Sequence, residues 1–221
     1  MNPVFPSILS TSFFDLEAKL CQFEGRDVEF IHLDVMDGHF VDTISFGPSL
    51  ARSIKDRFPF RLDAHLMVSN PEKAIPHFIR AGVDWISFHA EAAADASVPL
   101  RMIQESGRRA GLVLNPDTPL DRLRPWMHAV DYILLMSVFP GYGGQAFIPG
   151  TVERAAELRK EIDGTGRPCL LQVDGGINPD HAVRLREAGA DLFVVGTYLF
   201  NAEDIPETLT RFYNTLQWRR L

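Results

Sequence analysis

The stretch "IHLDVMDGHFV", residues 31–41, decides how this chain is read. Period-two alternation puts His32 and Asp34 on one side of a strand, opposite Ile31, Leu33 and Val35. An imidazole and a carboxylate inside a hydrophobic strand cost free energy unless something satisfies them. A further Asp and His, Asp37 and His39, lie just beyond.

Outward from this run, a beat recurs. Short apolar stretches appear at 4–9, 29–35, 61–68, 85–90, 110–115, 132–138, 169–175 and 192–197. Amphipathic stretches such as "FFDLEAKLCQFE", "NPEKAIPHFIRAG", "TVERAAELRKEI" and "NPDHAVRLREAG" separate them. Asn70–Pro71 and Asn178–Pro179 read as helix starts, and Gly82 and Gly189 as stops. Eight strands alternating with about eight helices predict an α/β fold with an all-parallel sheet, closed into a (β/α)₈ TIM barrel. Residues 1–221 are expected to form a single barrel domain. The rival, a doubly wound open sheet, is disfavoured because no G-x-G-x-x-G turn follows the first strand.

The 221 residues are 46% apolar and 23% charged, an ordinary globular composition. A net charge of −7 excludes a basic field for nucleic acid or anionic membrane, and the short pairs Arg108–Arg109 and Arg219–Arg220 do not alter that. Cys21 and Cys169 form no C-x-x-C motif and are expected as free, mostly buried thiols in a reducing compartment. The first twenty residues lack the pattern of a signal peptide and no apolar run is long enough to span a bilayer, so a cytoplasmic protein is expected.

In a barrel, function gathers at the C-terminal ends of the strands. His32 and Asp34 on strand 2, His65 near the end of strand 3 and Asp174 at the end of strand 7 fall there. One such residue is ordinarily a helix cap or a satisfied core group. Four of them on three strands form a mixed nitrogen and oxygen set suited to one divalent cation, Zn²⁺, Fe²⁺, Mn²⁺ or Co²⁺. A second constellation is glycine-rich: "PGYGGQ" (140–145), "DGG" (174–176) and "VGT" (195–197) follow strands 6, 7 and 8. Glycines let backbone N–H groups approach a phosphate, and no Lys or Arg lies in these loops to share the task. Met36, Met67 and Met136 also lie at strand ends, as core filling or as a soft floor under a flat intermediate. His89, in "FHAE", is expected in hydrogen bonds within the rim; His39, His77, His128 and His181 read as loop or helix-surface residues.

This pattern suits a phosphorylated ketose held over strands 6 to 8, with its other end at the cation. Asp34 and Asp174 would then reach one carbon from opposite faces and invert it through an enediolate, with no redox cofactor. Competing chemistries lack their signatures. Lys19, Lys55, Lys73 and Lys160 fall in helical stretches rather than at strand ends, where a Schiff base would need one. No Asp-x-Lys-x-x-Asp follows a strand, and G-x-S-x-G is absent.

The motifs "PSILS", "HLDVMDGHFV", "DAHLMV", "GLVLNP", "LLMSVFPGYGGQAFIP", "VDGGI" and "AGADLFVVGT" together resemble the ribulose-phosphate 3-epimerase family, in order, over residues 4 to 201. The resemblance implies interconversion of D-ribulose 5-phosphate and D-xylulose 5-phosphate in the pentose phosphate and carbon-fixing pathways. It implies metal ligands His32, Asp34, His65 and Asp174, with Asp34 as proton acceptor and Asp174 as donor. Substrate contacts would fall on Ser7, His65, Gly141, Tyr142, Gly143, Gly144, Gly175, Gly176, Gly196 and Thr197. A homo-oligomer, dimer or hexamer, is implied too. The chain departs from the family pattern at Asp42-Thr43 (usually Pro-Asn), Phe139 (Asn or Glu), Gln172 (Glu) and Thr197 (Ser). Asp42 and Phe139 bear on sugar length, which leaves D-allulose-6-phosphate 3-epimerase as an alternative. A non-catalytic sugar-phosphate sensor would keep the glycine loops and lose a carboxylate; both are present.

Overall fold

The computed structural model describes residues 1–218; the pair Arg219–Arg220 lies outside the described residues. Eight strands are present: β1 (Val4–Pro6), β2 (Phe30–Met36), β3 (Arg61–Met67), β4 (Trp85–His89), β5 (Arg109–Leu114), β6 (Tyr132–Met136), β7 (Leu170–Asp174) and β8 (Leu192–Val195). All pair in parallel, in the order β1-β8-β7-β6-β5-β4-β3-β2. A parallel bridge between Ser7 and His32 joins the two ends and closes the ring. The expected (β/α)₈ barrel is therefore the fold.

The helices are α1 (Leu16–Cys21), α2 (Pro48–Arg57), α3 (Pro71–Arg80), α4 (Ser97–Glu105), α5 (Thr151–Gly164), α6 (Pro179–Glu187), α7 (Thr197–Phe200) and α8 (Ile205–Thr215). The Asn70 and Asn178 side chains accept from the backbone N–H groups of Lys73 and His181, so the expected starts are capped starts. Gly82 and Gly189 follow the last turns at φ 87° and 98°, a conformation other residues resist. The alternation breaks once. Between β5 and β6 stands only a 3₁₀ turn, Leu120–Leu123. Pro116, Pro119 and Pro125 crowd that segment, and proline removes the donors a longer helix needs. The one-turn α7 is the extra element, inserted between β8 and α8.

Alternation along the strands builds two cores. Ile31, Leu33 and Val35 of β2 join the larger cluster between sheet and helices. Phe5, Phe30, Trp85, Tyr132, Leu134 and Leu192 form a separate cluster inside the barrel. Phe5 and Phe30 stack at 4.6 Å, and Trp85 lies 4.8 Å from Phe30 and 4.9 Å from Tyr132. The Arg61 and Arg109 guanidinium groups cover Phe30 and Trp85 at 4.9 and 5.0 Å. This aromatic plug fills one end of the barrel, leaving the polar residues farther along the same strands to face the other. The thiols are free, as expected, but of the pair expected to be mostly buried only Cys169 is; Cys21 ends α1 on the exposed side. Among the described residues no helix is long and apolar enough to cross a membrane.

Candidate active site and metal centre

The β2–β3 register sets His32 opposite Asp63 and Asp34 opposite His65. "HLD" thus lies beside "DAH", an inverted pair of motifs whose four polar side chains share the barrel interior. Asp174, at the end of β7, completes the group. One nitrogen or oxygen from each of His32, Asp34, His65 and Asp174 lies within 4.8 Å of all the others. His32 Nε2 stands 3.4 Å from Asp34 and 3.9 Å from Asp174; His65 Nδ1 stands 3.2 and 3.8 Å from the same two carboxylates. His32 Nε2 is buried and has no hydrogen-bond partner among the described residues, which leaves it open to a cation. The donor set fits one divalent cation, with His32 offering Nε2 and His65 offering Nδ1. One placement differs from expectation: β2 runs on to Met36, so His32 sits mid-strand, deeper than a strand end.

The remaining atoms of these side chains are held by a surrounding layer. Asp63 Oδ2 accepts from His32 Nδ1 at 2.8 Å and Gln172 Nε2 at 2.9 Å, while its Oδ1 accepts from the Tyr132 hydroxyl at 2.9 Å. The Ser7 hydroxyl donates to Asp34 Oδ2 at 2.5 Å. His65 Nε2 lies 2.8 Å from His89 Nε2, and His89 Nδ1 lies 3.4 Å from Glu91. His89 is therefore wholly buried beneath His65, not part of the rim.

The electrostatics follow from crowding. Burial opposes charge on His32, but Asp34 and Asp63 outweigh it and hold its pKa well above the usual value. Burial also opposes charge on His65; bonds to Asp174 and Asp34 prevail and raise it. Asp34 is lowered, because both imidazoles overcome the cost of its burial. Asp174 is raised, by burial first and by the Asp34 charge second. Two carboxylates close together in one cavity are thus driven apart in acidity. Burial, reinforced by His65, pushes His89 down to about 4. Glu91 falls to about 2, its burial outweighed by bonds from His89, Thr118 and the Asn115 N–H.

A cleft opens over this centre. Ser7, Asp34, Asp174, Met36, Met67, Met136, Gly141, Tyr142, Gly143, Gly144, Gly175, Gly176, Gly196 and Thr197 all line it. His32 and His65 are wholly buried behind the two aspartates. The methionines are both core and floor: each is almost wholly buried, and each reaches the cleft. The glycines are needed where they stand. A Cβ on Gly176 (φ 60°) would lie 2.8 Å from Gln145 O and Phe147 N, and one on Gly196 would lie 2.9 Å from Ser10 Oγ. Ser10 bonds Thr197 across the cleft at 3.0 Å. Among the described residues no Lys or Arg lines this cleft, so backbone N–H groups and hydroxyls are its donors. Phe139 lines it; Asp42, exposed on the loop after β2, does not. Of the four other histidines, His181 does more than cover a helix surface: its Nδ1 reaches Gly176 O at 2.9 Å and its ring stacks on Phe147 at 4.2 Å.

The residues that sequence reasoning missed are the supports: Asp63, Tyr132, Ser10 and the depth of His89. Asp63 was the most accessible of these, since "DAH" mirrors "HLD" and neighbouring parallel strands bring such motifs together.

The match to known proteins agrees with this geometry. Residues 3–200 fit the model of the ribulose-phosphate 3 epimerase family. Ribulose-phosphate 3-epimerase 2 of Cupriavidus necator is 42% identical over 90% of this chain and 84% of its own length. Ribulose-phosphate 3-epimerases of Aquifex aeolicus and Escherichia coli K12 are 39% and 38% identical, over 98% and 96% of this chain and 97% and 95% of theirs. The crystal structure of 3-hexulose-6-phosphate synthase from Salmonella typhimurium superposes with a TM-score of 0.74, covering 97% of this chain and 98% of that one; at 16% identity it speaks for the fold alone. A barrel of this topology, with this quartet and a family match across nearly its whole length, belongs to the ribulose-phosphate 3-epimerase family.

Proposed function

We propose that this enzyme inverts C3 of D-ribulose 5-phosphate to give D-xylulose 5-phosphate. The observation that carries the reading is the placement of Asp34 and Asp174. They line one cleft from β2 and β7, strands separated by β1 and β8 in the ring. A planar intermediate lying between them exposes a different face to each carboxylate.

The glycine loops after β6, β7 and β8 would receive the phosphate through backbone N–H groups, helped by the hydroxyls of Ser10 and Thr197. His32, Asp34, His65 and Asp174 would hold the divalent cation. Such a cation stabilises negative charge developing on the substrate's carbonyl oxygen and so acidifies the neighbouring carbon. Asp34, the more acidic of the pair and steadied by Ser7, takes the C3 proton. Asp174, the less acidic of the pair, delivers one to the opposite face. A cation weakens both carboxylates as bases, so the scheme requires that it acidify the substrate more than it weakens Asp34. The buried methionines offer an apolar, polarisable floor to the flat enediolate.

The test is turnover of ribulose 5-phosphate in D₂O with added divalent metal. Deuterium should enter at C3 of the xylulose product, and Asp174→Asn should lower epimerisation by about 10²–10⁴-fold. Phosphate-dependent binding without turnover would instead mark a sensor. Faster turnover of allulose 6-phosphate in the same assay would move the substrate to the hexulose series.

A further inference from the structure

We propose that His89 and Glu91 form a positioning relay that fixes which nitrogen of His65 carries its proton, and so keeps His65 Nδ1 open as a metal ligand. The inference rests on the cation site proposed above. His65 turns Nδ1 toward Asp34 and Asp174, so that nitrogen must keep its lone pair free to ligate, and the ring proton belongs on Nε2. Nε2 lies 2.8 Å from His89 Nε2. Two imidazole nitrogens at that distance need one donor and one acceptor, so His89 Nε2 is bare and its proton sits on Nδ1. His89 Nδ1 in turn lies 3.4 Å from Glu91 Oε2. The other Glu91 oxygen accepts from the Asn115 N–H at 2.9 Å and the Thr118 hydroxyl at 2.5 Å. His89 Nδ1 and Glu91 Oε2 are both buried and neither has another partner among the described residues, so a proton on His89 Nδ1 meets the one acceptor open to it. Every link runs one way, from ligand to carboxylate, and each proton has one consistent place. His32 reaches its carboxylate, Asp63, directly; His65 reaches Glu91 through one intervening ring.

Glu91→Gln tests the direction of the relay. With its amide oxygen kept by Asn115 and Thr118, the amide NH₂ faces His89 Nδ1. His89 must then protonate on Nε2, His65 Nε2 must accept, and the proton moves onto His65 Nδ1, closing it as a ligand. Zn²⁺ affinity, measured by competition with a chelator on the folded variant, should fall by about 10–100-fold, with kcat recovering as Zn²⁺ is raised. A defect of packing alone would not be rescued by metal. A Zn²⁺ affinity within about twofold of wild type would overturn the relay. A second measurement needs no variant: ¹⁵N shifts of the histidines in the Zn²⁺-loaded wild type should place the proton on Nδ1 of His89 and Nε2 of His65. Finding His89 protonated on Nε2 overturns the relay while leaving the epimerase reading intact. Failure of the wild type to bind Zn²⁺, Mn²⁺, Fe²⁺ or Co²⁺ overturns both.

Discussion

Asp63 Oδ2 lies 2.8 Å from His32 Nδ1, and both side chains are wholly buried. Its two oxygens accept from three donors, His32, Tyr132 and Gln172. Two substitutions separate its charge from its hydrogen bonds. Asp63→Asn can turn its NH₂ toward Tyr132, whose hydroxyl reverses to accept, and keep an oxygen on His32. It should fold, yet bind Zn²⁺ roughly tenfold more weakly, because His32 loses its anionic partner. Asp63→Ala strands all three donors, at about 1–3 kcal/mol for each that finds no water. Urea denaturation and chelator competition on both variants check this. An alanine variant as stable as the parent would show that the barrel interior readily admits water.

Gly196 tests whether backbone alone forms the anion cradle. Its φ of −98° is negative, so the left-handed conformation that favours glycine is not what holds this position. Its Cβ would nevertheless approach Ser10 Oγ to 2.9 Å and disturb the bond between Ser10 and Thr197. Gly196→Ala should raise KM for the sugar phosphate by about tenfold or more while kcat changes little, the signature of lost uniform binding. Stability should move by less than about 1 kcal/mol. Steady-state kinetics decide it: a fall in kcat at unchanged KM would place Gly196 nearer the reacting carbon than the phosphate.

Much of this site was legible before any fold was known, and the reason is geometric. Period-two alternation alone told which side of β2 carried His32 and Asp34, and capping chemistry marked α3 and α6 at Asn70 and Asn178. What strand patterns do not carry is register across neighbouring strands. Asp63 pairs with His32 only because β2 and β3 align as they do, and nothing local to "DAH" says so. His89 was misjudged for a related reason. Its place at the end of β4 suggested the rim, but the layer of side chains inside the barrel turns it inward onto His65. The missing helix between β5 and β6 was foreshadowed by three prolines, whose effect on helix length is local.

Gly111 carries the opposite kind of constraint from the loop glycines. It lies inside β5, and a Cβ there would fall 2.4 to 2.7 Å from three ring atoms of Tyr132. That ring cannot retreat easily, since Trp85 packs on it and its hydroxyl is bonded to Asp63. Gly111→Ala should therefore destabilise the barrel by about 1–3 kcal/mol through overpacking, and weaken metal binding by shifting Asp63. Thermal melts with and without Zn²⁺ give both numbers. An unchanged melt would mean that the ring swings aside at little cost.

Asp37 answers the remaining part of "IHLDVMDGHFV". Its carboxylate lies outside the quartet of His32, Asp34, His65 and Asp174. One oxygen accepts from the N–H groups of His39 and Phe40, both at 2.8 Å; the other accepts from the Ser69 N–H and hydroxyl, again at 2.8 Å. It thereby ties the loop after β2 to the loop after β3. Burial works against its charge, but these donors win and lower its pKa from 3.8 to about 2. A group more acidic when folded than unfolded stabilises the fold above its unfolded pKa. That contribution fades as pH falls from about 4 toward 2. Asp37 is only half-buried, so solvent screening reduces the gain to on the order of 1 kcal/mol. Asp37→Asn should cost about that much at pH 7, and the gap to wild type should shrink as both are unfolded in urea at pH 4, 3 and 2. A gap that stays constant to pH 2 would show that the loop tie depends on shape rather than on the Asp37 charge.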